Sequence, residues 1–366
     1  MNNKEEIDIK LKRLRNLMTE QKLSGIYLKR QDNFSWLSCG GKSYVGLGEM
    51  GNCGLLVTTD ARYAITNTIE KPRMADEERL EELGFAIHAG TWDDNGFEAA
   101  TLKKLGGKAL GFDFASPLGT NVAEQVRTLR FSLTESELER YRETGYLVSL
   151  SLEETAASIR PGDSEFEIVG RLSESLTSHG LALYSAMCAA DERIRNYRHP
   201  IPTGKRVKER CQLGGNFGKY GLIVCLTRYV NFTPVSTELR KQLRLNQEID
   251  LVFMKNSIPG KSYQHPFTAG KEAYAQRGYA AEFDKHHQGG PIGYSPRDFR
   301  IDFSHKGIIQ ENQAFCWNPS ITGTKSEDTI VAKTGSFEFI TKPVIFPKAE
   351  IQIDGTSYIR ADILEK

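Results

Sequence analysis

The sequence predicts a mixed α/β (α+β) protein of two domains, and three observations carry that prediction. The chain has 366 residues, enough for two domains with buried cores. Residues 1–132 alternate short strand and helix signals, which is the pattern of an α/β domain. After two capped helices, the apolar period shifts from helical spacing towards two from about His199, so residues 133–366 read as a sheet-rich domain with helices packed on it.

Leu11, Leu14, Leu17 and Met18 lie at helical spacing among charged residues and predict an amphipathic helix ending near Leu23-Ser24-Gly25. Residues 25–28 read as a strand and the Gly-rich run 39–51 as a loop. Residues 53–59 (CGLLVTT) and 62–66 form a hairpin about Thr59-Asp60. Thr134-Glu135-Ser136-Glu137 is a capping box that opens a helix to about Ile159, where Arg160-Pro161-Gly162-Asp163 stops it. Ser164-Glu165-Phe166-Glu167 is a second box, with Phe166, Val169, Leu172 and Leu176 as the apolar stripe of its helix and His179-Gly180 at its end. Strands are expected at 221–230, 248–255 (EIDLVFMK), 314–321, 328–333 and 336–341, with one helix at 272–285. His265-Pro266 reads as a turn and Trp317 as a buried aromatic.

Composition removes several function classes. Forty-eight basic residues against 47 acidic ones leave a net charge of +1, so no nucleic-acid surface is expected. The six cysteines (39, 53, 188, 211, 225, 316) contain no CxxC pair, which fits reduced thiols in a cytoplasmic protein and not a disulfide framework. No apolar segment follows the charged start Met1-Asn2-Asn3-Lys4-Glu5-Glu6, so no signal peptide is expected. No apolar run approaches the ~20 residues of a membrane helix.

The chemistry concentrates in the second domain. His286-His287-Gln288-Gly289-Gly290-Pro291 places two imidazoles in a run that neither helix nor central strand accommodates. The plain alternative is a surface turn with two solvated histidines. Four other segments add polar groups at strand ends or turns: Arg198-His199-Pro200, the stretch from Gly214 to Cys225-Leu226-Thr227-Arg228, Trp317-Asn318-Pro319, and Lys325-Ser326-Glu327-Asp328.

In their order these five segments resemble the peptidase family that contains methionine aminopeptidase, Xaa-Pro aminopeptidase, prolidase and creatinase. The resemblance implies a creatinase-type N-terminal domain over residues 1–132. It implies a pita-bread domain over 133–366, a curved antiparallel sheet covered by helices, and a homodimer. The family's five metal-ligand positions fall on Gly214, Cys225, His287, Asn318 and Glu327, so only His287 and Glu327 keep a ligand of the family's type. One remaining carboxylate does not balance two divalent ions that favour several oxygen ligands, and no cofactor is expected. Three readings follow. One is metal-independent hydrolysis of a C–N bond in a small molecule or short peptide. It would use His199, His287, Glu327 and Tyr294, with Arg228, Arg297, Lys325, Asn318 and His286 towards substrate. The second is a catalytically inactive shell that binds a peptide, small molecule or protein. The third is a single zinc held by Cys225, His287 and Glu327. Asp328 is expected to face away from Glu327, and His286 away from His287, as neighbours in extended chain do.

Overall fold

The computed structural model describes residues 3–46 and 48–366, so Met1 and Asn2 of the N-terminal reading and Leu47 of the Gly-rich loop lie outside the described residues. The chain forms two compact units, Met1–Leu138 and Glu139–Lys366.

In the first unit, helix α1 (Asn3–Gln21) buries Leu11, Leu14, Leu17 and Met18, the predicted stripe. The same face buries Lys10, whose ammonium lies 2.5 Å from Glu6 and 2.9 Å from Glu137. A buried lysine persists only with such partners. The predicted strand and hairpin become β1 (Gly25–Arg30), β2 (Met50–Thr58) and β3 (Arg62–Asn67), consecutive antiparallel neighbours. With β4 (Ala86–Gly90), β5 (Leu110–Phe112) and β6 (Thr120–Asn121) they make a six-stranded sheet ordered β4-β3-β2-β1-β5-β6. Helices α2 (Gln31–Leu37), α3 (Lys71–Asp76) and α4 (Phe97–Leu105) connect these strands, and α5 (Ala123–Leu129) follows the last of them.

Helix α6 (Glu135–Ser158) opens at the first capping box, where the Thr134 amide donates to the Glu137 carboxylate at 2.8 Å. Helix α7 (Glu165–Ser178) opens at the second, complete in both directions at Ser164 and Glu167. Its buried face is Glu165, Ile168, Leu172 and Leu176, and Phe166 is 61% exposed, so the expected stripe was rotated. Glu165 sets that rotation. Its buried carboxylate accepts from the amides of Ala190 and Thr203, each at 2.8 Å, and from the Arg193 guanidinium at 2.9 Å. Bonds of that kind make carboxylate burial tolerable.

Two four-stranded sheets carry the rest. Strands β7 (Ala182–Ala190), β8 (Arg210–Lys219) and β9 (Leu222–Asn231) pair antiparallel in sequence. Strands β10 (Gly289–Pro291), β11 (Gln313–Trp317), β14 (Asp328–Lys333) and β15 (Ser336–Phe339) form the second sheet in that order. Hairpins β12 (Ser320–Ile321) with β13 (Thr324–Lys325), and β16 (Lys348–Ile353) with β17 (Thr356–Ala361), flank them, and β18 (Leu364–Glu365) joins β9. Hydrogen bonds stitch the sheets together: the Thr329 hydroxyl accepts from the Cys225 amide at 2.8 Å and donates to the Cys225 carbonyl at 3.0 Å, and the Thr227 amide donates to the Glu327 carbonyl at 3.2 Å.

Helices α8 (Arg193–Asn196), α9 (Thr237–Asn256) and α10 (Gln264–Gln276) complete the unit. Residues 248–255, expected as a strand, are the last turns of α9. Ile249, Asp250, Leu251, Phe253 and Met254 are all buried there. A helix enclosed on several faces loses its 3.6-residue period, and a short apolar run then mimics a strand. The helix expected at 272–285 is two pieces: α10, with His265-Pro266 in its first turn where proline is tolerated, and a 3₁₀ turn over Ala280–Lys285. Gly278 at φ +79° breaks them apart. Trp317 is fully buried and stacked on Phe253 at 4.8 Å. All six cysteines are free and buried, and among the described residues no helix is long and apolar enough to cross a membrane.

Candidate functional site

The histidine run is held in shape by its own neighbours. The Gln288 amide nitrogen donates to the carbonyls of Phe283 and His286, both at 2.7 Å, while its oxygen accepts from the Tyr274 hydroxyl at 3.0 Å. The Asn318 amide donates to the Gln288 carbonyl. Gly289 sits at φ +103°, where a Cβ would lie 2.3 Å from the Cys316 carbonyl oxygen, so only glycine lets β10 approach β11 this closely. On the facing segment, Arg198 binds Glu282 at 2.6 Å and the Thr322 hydroxyl at 2.9 Å, tying the chain at His199 to the 3₁₀ turn.

These restraints bring three imidazoles together. His199 Nε2 lies 3.0 Å from His286 Nε2, and the ring centroids stand 4.8 Å (His199–His286), 5.5 Å (His199–His287) and 4.6 Å (His286–His287) apart. His286 therefore faces the cluster, contrary to expectation. It caps the 3₁₀ turn with extended backbone, φ −154° and ψ 145°, and its ring still stands 4.6 Å from that of His287. Burial lowers the pKa of all three. His286 is pushed down to about 2, with Lys325 and the other two rings adding to the effect of burial. His287 is pushed down to about 3, with Arg297 adding most after burial. His199 is lowered too, by burial and Lys325, but Glu327 acts in the opposite sense on it. His286 and His287 are neutral at physiological pH, and His199 is the ring best placed to accept a proton.

Behind the histidines lies a closed floor. Glu327 is buried; its carboxylate pairs with the Lys325 ammonium at 2.6 Å and accepts from the Thr227 hydroxyl at 2.6 Å. Cys225 donates its thiol to Asn216 Oδ1 at 2.6 Å. The Cys316 thiol, pushed well above its ordinary pKa by burial and by Cys225, has two carbonyl acceptors, Trp317 at 3.6 Å and Cys225 at 3.9 Å. At Gly214 a Cβ would meet the Leu226 carbonyl oxygen and Thr227 Oγ1, each at 2.6 Å, so the space for a side chain is already taken. Asn318 is buried with its Oδ1 unpartnered, and Tyr294 is buried.

Three residues assigned to substrate are bound within the protein. Arg228 is buried and bound to Glu153 at 2.9 Å and Asp328 at 3.1 Å, so it is not available to a carboxylate in solution. Lys325 faces Glu327. Arg297 donates through one nitrogen to the carbonyls of Gly290 and Cys316, which pins β10 to β11. Asp328 turns away from Glu327, as expected, into a buried network with Arg228 and Arg360. The proposed zinc set divides: Cys225 and Glu327 group with Cys316, whereas His287 groups with His199 and His286. Cys316, Thr227, Asn216 and Gln288 escaped the sequence reading. Cys316 was within reach of it, because strand alternation from Asn318 puts residue 316 on the same face.

Residues 10–143 match the family model described as the Creatinase/Prolidase N-terminal domain. An uncharacterized peptidase of Staphylococcus aureus (strain MW2) is 19% identical over 229 residues, 59% of this chain and 64% of its own length, so the match spans under two thirds of that relative. Among solved structures, the Xaa-Pro dipeptidase from Bacillus anthracis is similar with a TM-score of 0.74 at 21% identity, over 92% of this chain and 98% of that one. The N-terminal domain of FACT complex subunit SPT16 from Cicer arietinum is similar with a TM-score of 0.70 at 10% identity, over 93% and 97%. At these identities the structures speak to the fold.

Proposed function

We propose that the chain is a member of the creatinase, prolidase and Xaa-Pro peptidase family, to whose N-terminal domain model residues 10–143 match, and that it is a hydrolase of C–N bonds that works without the two-metal centre. The supporting observation is the contrast between the five ligand positions and the histidines beside them. The ligand positions do not fit a pair of divalent ions: Gly214 has no room for a carboxylate, Cys225 and Asn318 are neutral, and Glu327 is already balanced by an ammonium of its own chain. The imidazoles, by contrast, converge on one another: His199 and His286 meet through Nε2 at 3.0 Å, and Nδ1 of His287 has no partner among the described residues.

In this reading His199 takes a proton from water as the water oxygen adds to the carbon of the scissile C–N bond. The imidazolium then returns that proton to the leaving nitrogen as the bond breaks. His287 and His286, held neutral, hydrogen-bond the developing oxygen and orient His199. Glu327 steadies the positive charge that His199 acquires. The substrate is a small molecule or short peptide.

The test is turnover of Xaa-Pro dipeptides and small amides by chelator-treated protein. Activity is expected to survive the chelator and to fall by ~10²–10⁴ in His199→Ala, the range of general acid–base catalysis. Activity that needs added manganese or cobalt, or that persists in both His199→Ala and His287→Ala, ends the proposal. A second reading, a binding shell, is favoured by the self-satisfied floor and by the similar fold of a complex subunit. Saturable peptide binding without any turnover would select it.

A further inference from the structure

We propose that His199, His286 and His287 form a binding site for one borderline transition-metal ion, of the Zn²⁺, Co²⁺ or Ni²⁺ class, displaced from the family's ligand positions. Of these three residues only His287 occupies one of those positions. Each ring offers a nitrogen within 4.8 Å of the others. Donors that share an ion tetrahedrally at the ~2.0–2.1 Å of metal–imidazole bonds stand ~3.4 Å apart, so side-chain torsions must draw the widest pair together by at most about 1.4 Å. The 3.0 Å between Nε2 of His199 and Nε2 of His286 is already close to that separation.

Two features adapt these rings to a metal. If His286 binds through Nε2, its Nδ1–H needs an outer partner, and the Ser320 hydroxyl lies 3.5 Å from that atom. The Nδ1 of His287 is buried without a partner, so nothing in the protein fixes its tautomer and either nitrogen can offer a lone pair. Four cations act on the rings. Lys325 is balanced by Glu327 and Arg198 by Glu282, which leaves Arg297 and Arg300. Their charge favours an anion, hydroxide or carboxylate, as the ion's fourth ligand. Imidazole donors select against Mg²⁺ and Ca²⁺.

The second cluster, Cys225, Cys316 and Glu327, is also compact but less suited. An ion there must ionise two buried thiols and displace the Lys325 ammonium.

If the catalytic reading above holds, an ion on these rings takes the lone pair His199 needs, so zinc inhibits. Metal-stripped protein would be titrated with Zn²⁺ by calorimetry and with Co²⁺ by visible absorption, in the absence of substrate. One ion per chain is expected, with the d–d bands of nitrogen ligation. His286→Ala and the more exposed His199→Ala should each weaken binding by at least the ~10–100-fold that loss of even an outer partner costs. Cys225→Ser should bind as the wild type does, and circular dichroism checks that each variant folds. No binding, binding lost in Cys225→Ser, or binding kept in both histidine variants overturns the site. Activity separates the two proposals. Absent binding with chelator-resistant turnover ends the metal site alone. Zinc-dependent turnover, or zinc binding without inhibition, ends the metal-free mechanism and leaves the site standing.

Discussion

The floor around Glu327 and the rim of histidines belong to one unit and differ in how their polar groups are satisfied. On the floor every charge has an internal answer: Glu327 faces Lys325 and Thr227, and Asp328 faces Arg228 and Arg360. On the rim, three imidazoles answer mainly to one another, and the buried Nδ1 of His287 answers to nothing. A site that meets its own electrostatic needs has little to offer a ligand, whereas one with neutral, unpaired lone pairs can bind an ion or move a proton. On the proposed reading, the rim carries the proton transfer and the floor supports it through Glu327.

Lys325→Met is the strongest way to break this contrast. It leaves the buried Glu327 carboxylate without its cation, and loss of one partner of a buried pair costs ~3–5 kcal/mol. Chemical denaturation should show that loss, and added Mn²⁺ should recover part of it in the variant but not in the wild type. An equal effect of Mn²⁺ on both would mean that Lys325 is not standing in for a metal charge. Gly214→Asp tests the opposite change. Restoring the family's carboxylate type forces a side chain against Leu226 and Thr227, and overpacking of this kind costs ~1–3 kcal/mol. The variant should lose stability and gain no divalent-ion dependence; a variant stabilised by Mn²⁺ would show that the floor can reopen.

The smallest effect concerns how the rim is held. Burial alone would raise the Glu282 pKa, but hydrogen bonds from Lys285, Thr322 and Arg198 outweigh it and take the carboxyl from 4.5 to about 2. The folded-state value lies below the unfolded one. The contribution is therefore fully present above about 4.5 and is lost as pH falls towards about 2. Partly exposed pairs of this kind are worth about 1 kcal/mol or less. Wild type and Glu282→Gln should differ in melting temperature at pH 7 and converge towards pH 2. A constant offset across that range would assign the difference to shape and not to charge.

Signals carried by adjacent residues were legible in the sequence. The capping boxes at Thr134 and Ser164, the first helix, the hairpin about Thr59-Asp60 and the strand at Asp328–Lys333 depend on a few neighbours that bond or alternate locally, and each stands where the residues placed it. The order of the five polar segments was likewise enough for the fold class. Tertiary structure decided what depends on residues far apart. Burial on several faces hid the helical period of residues 248–255, and the Glu165 bonds turned α7 so that Phe166 faces out. Gly278 divided the helix that precedes the histidines, His286 turned inward, and Lys325 came to rest on Glu327. Local pattern determines which elements form, because their hydrogen bonds close within a few residues. Packing decides which faces they bury and which charges meet, because those energies arise only when distant segments share one interior.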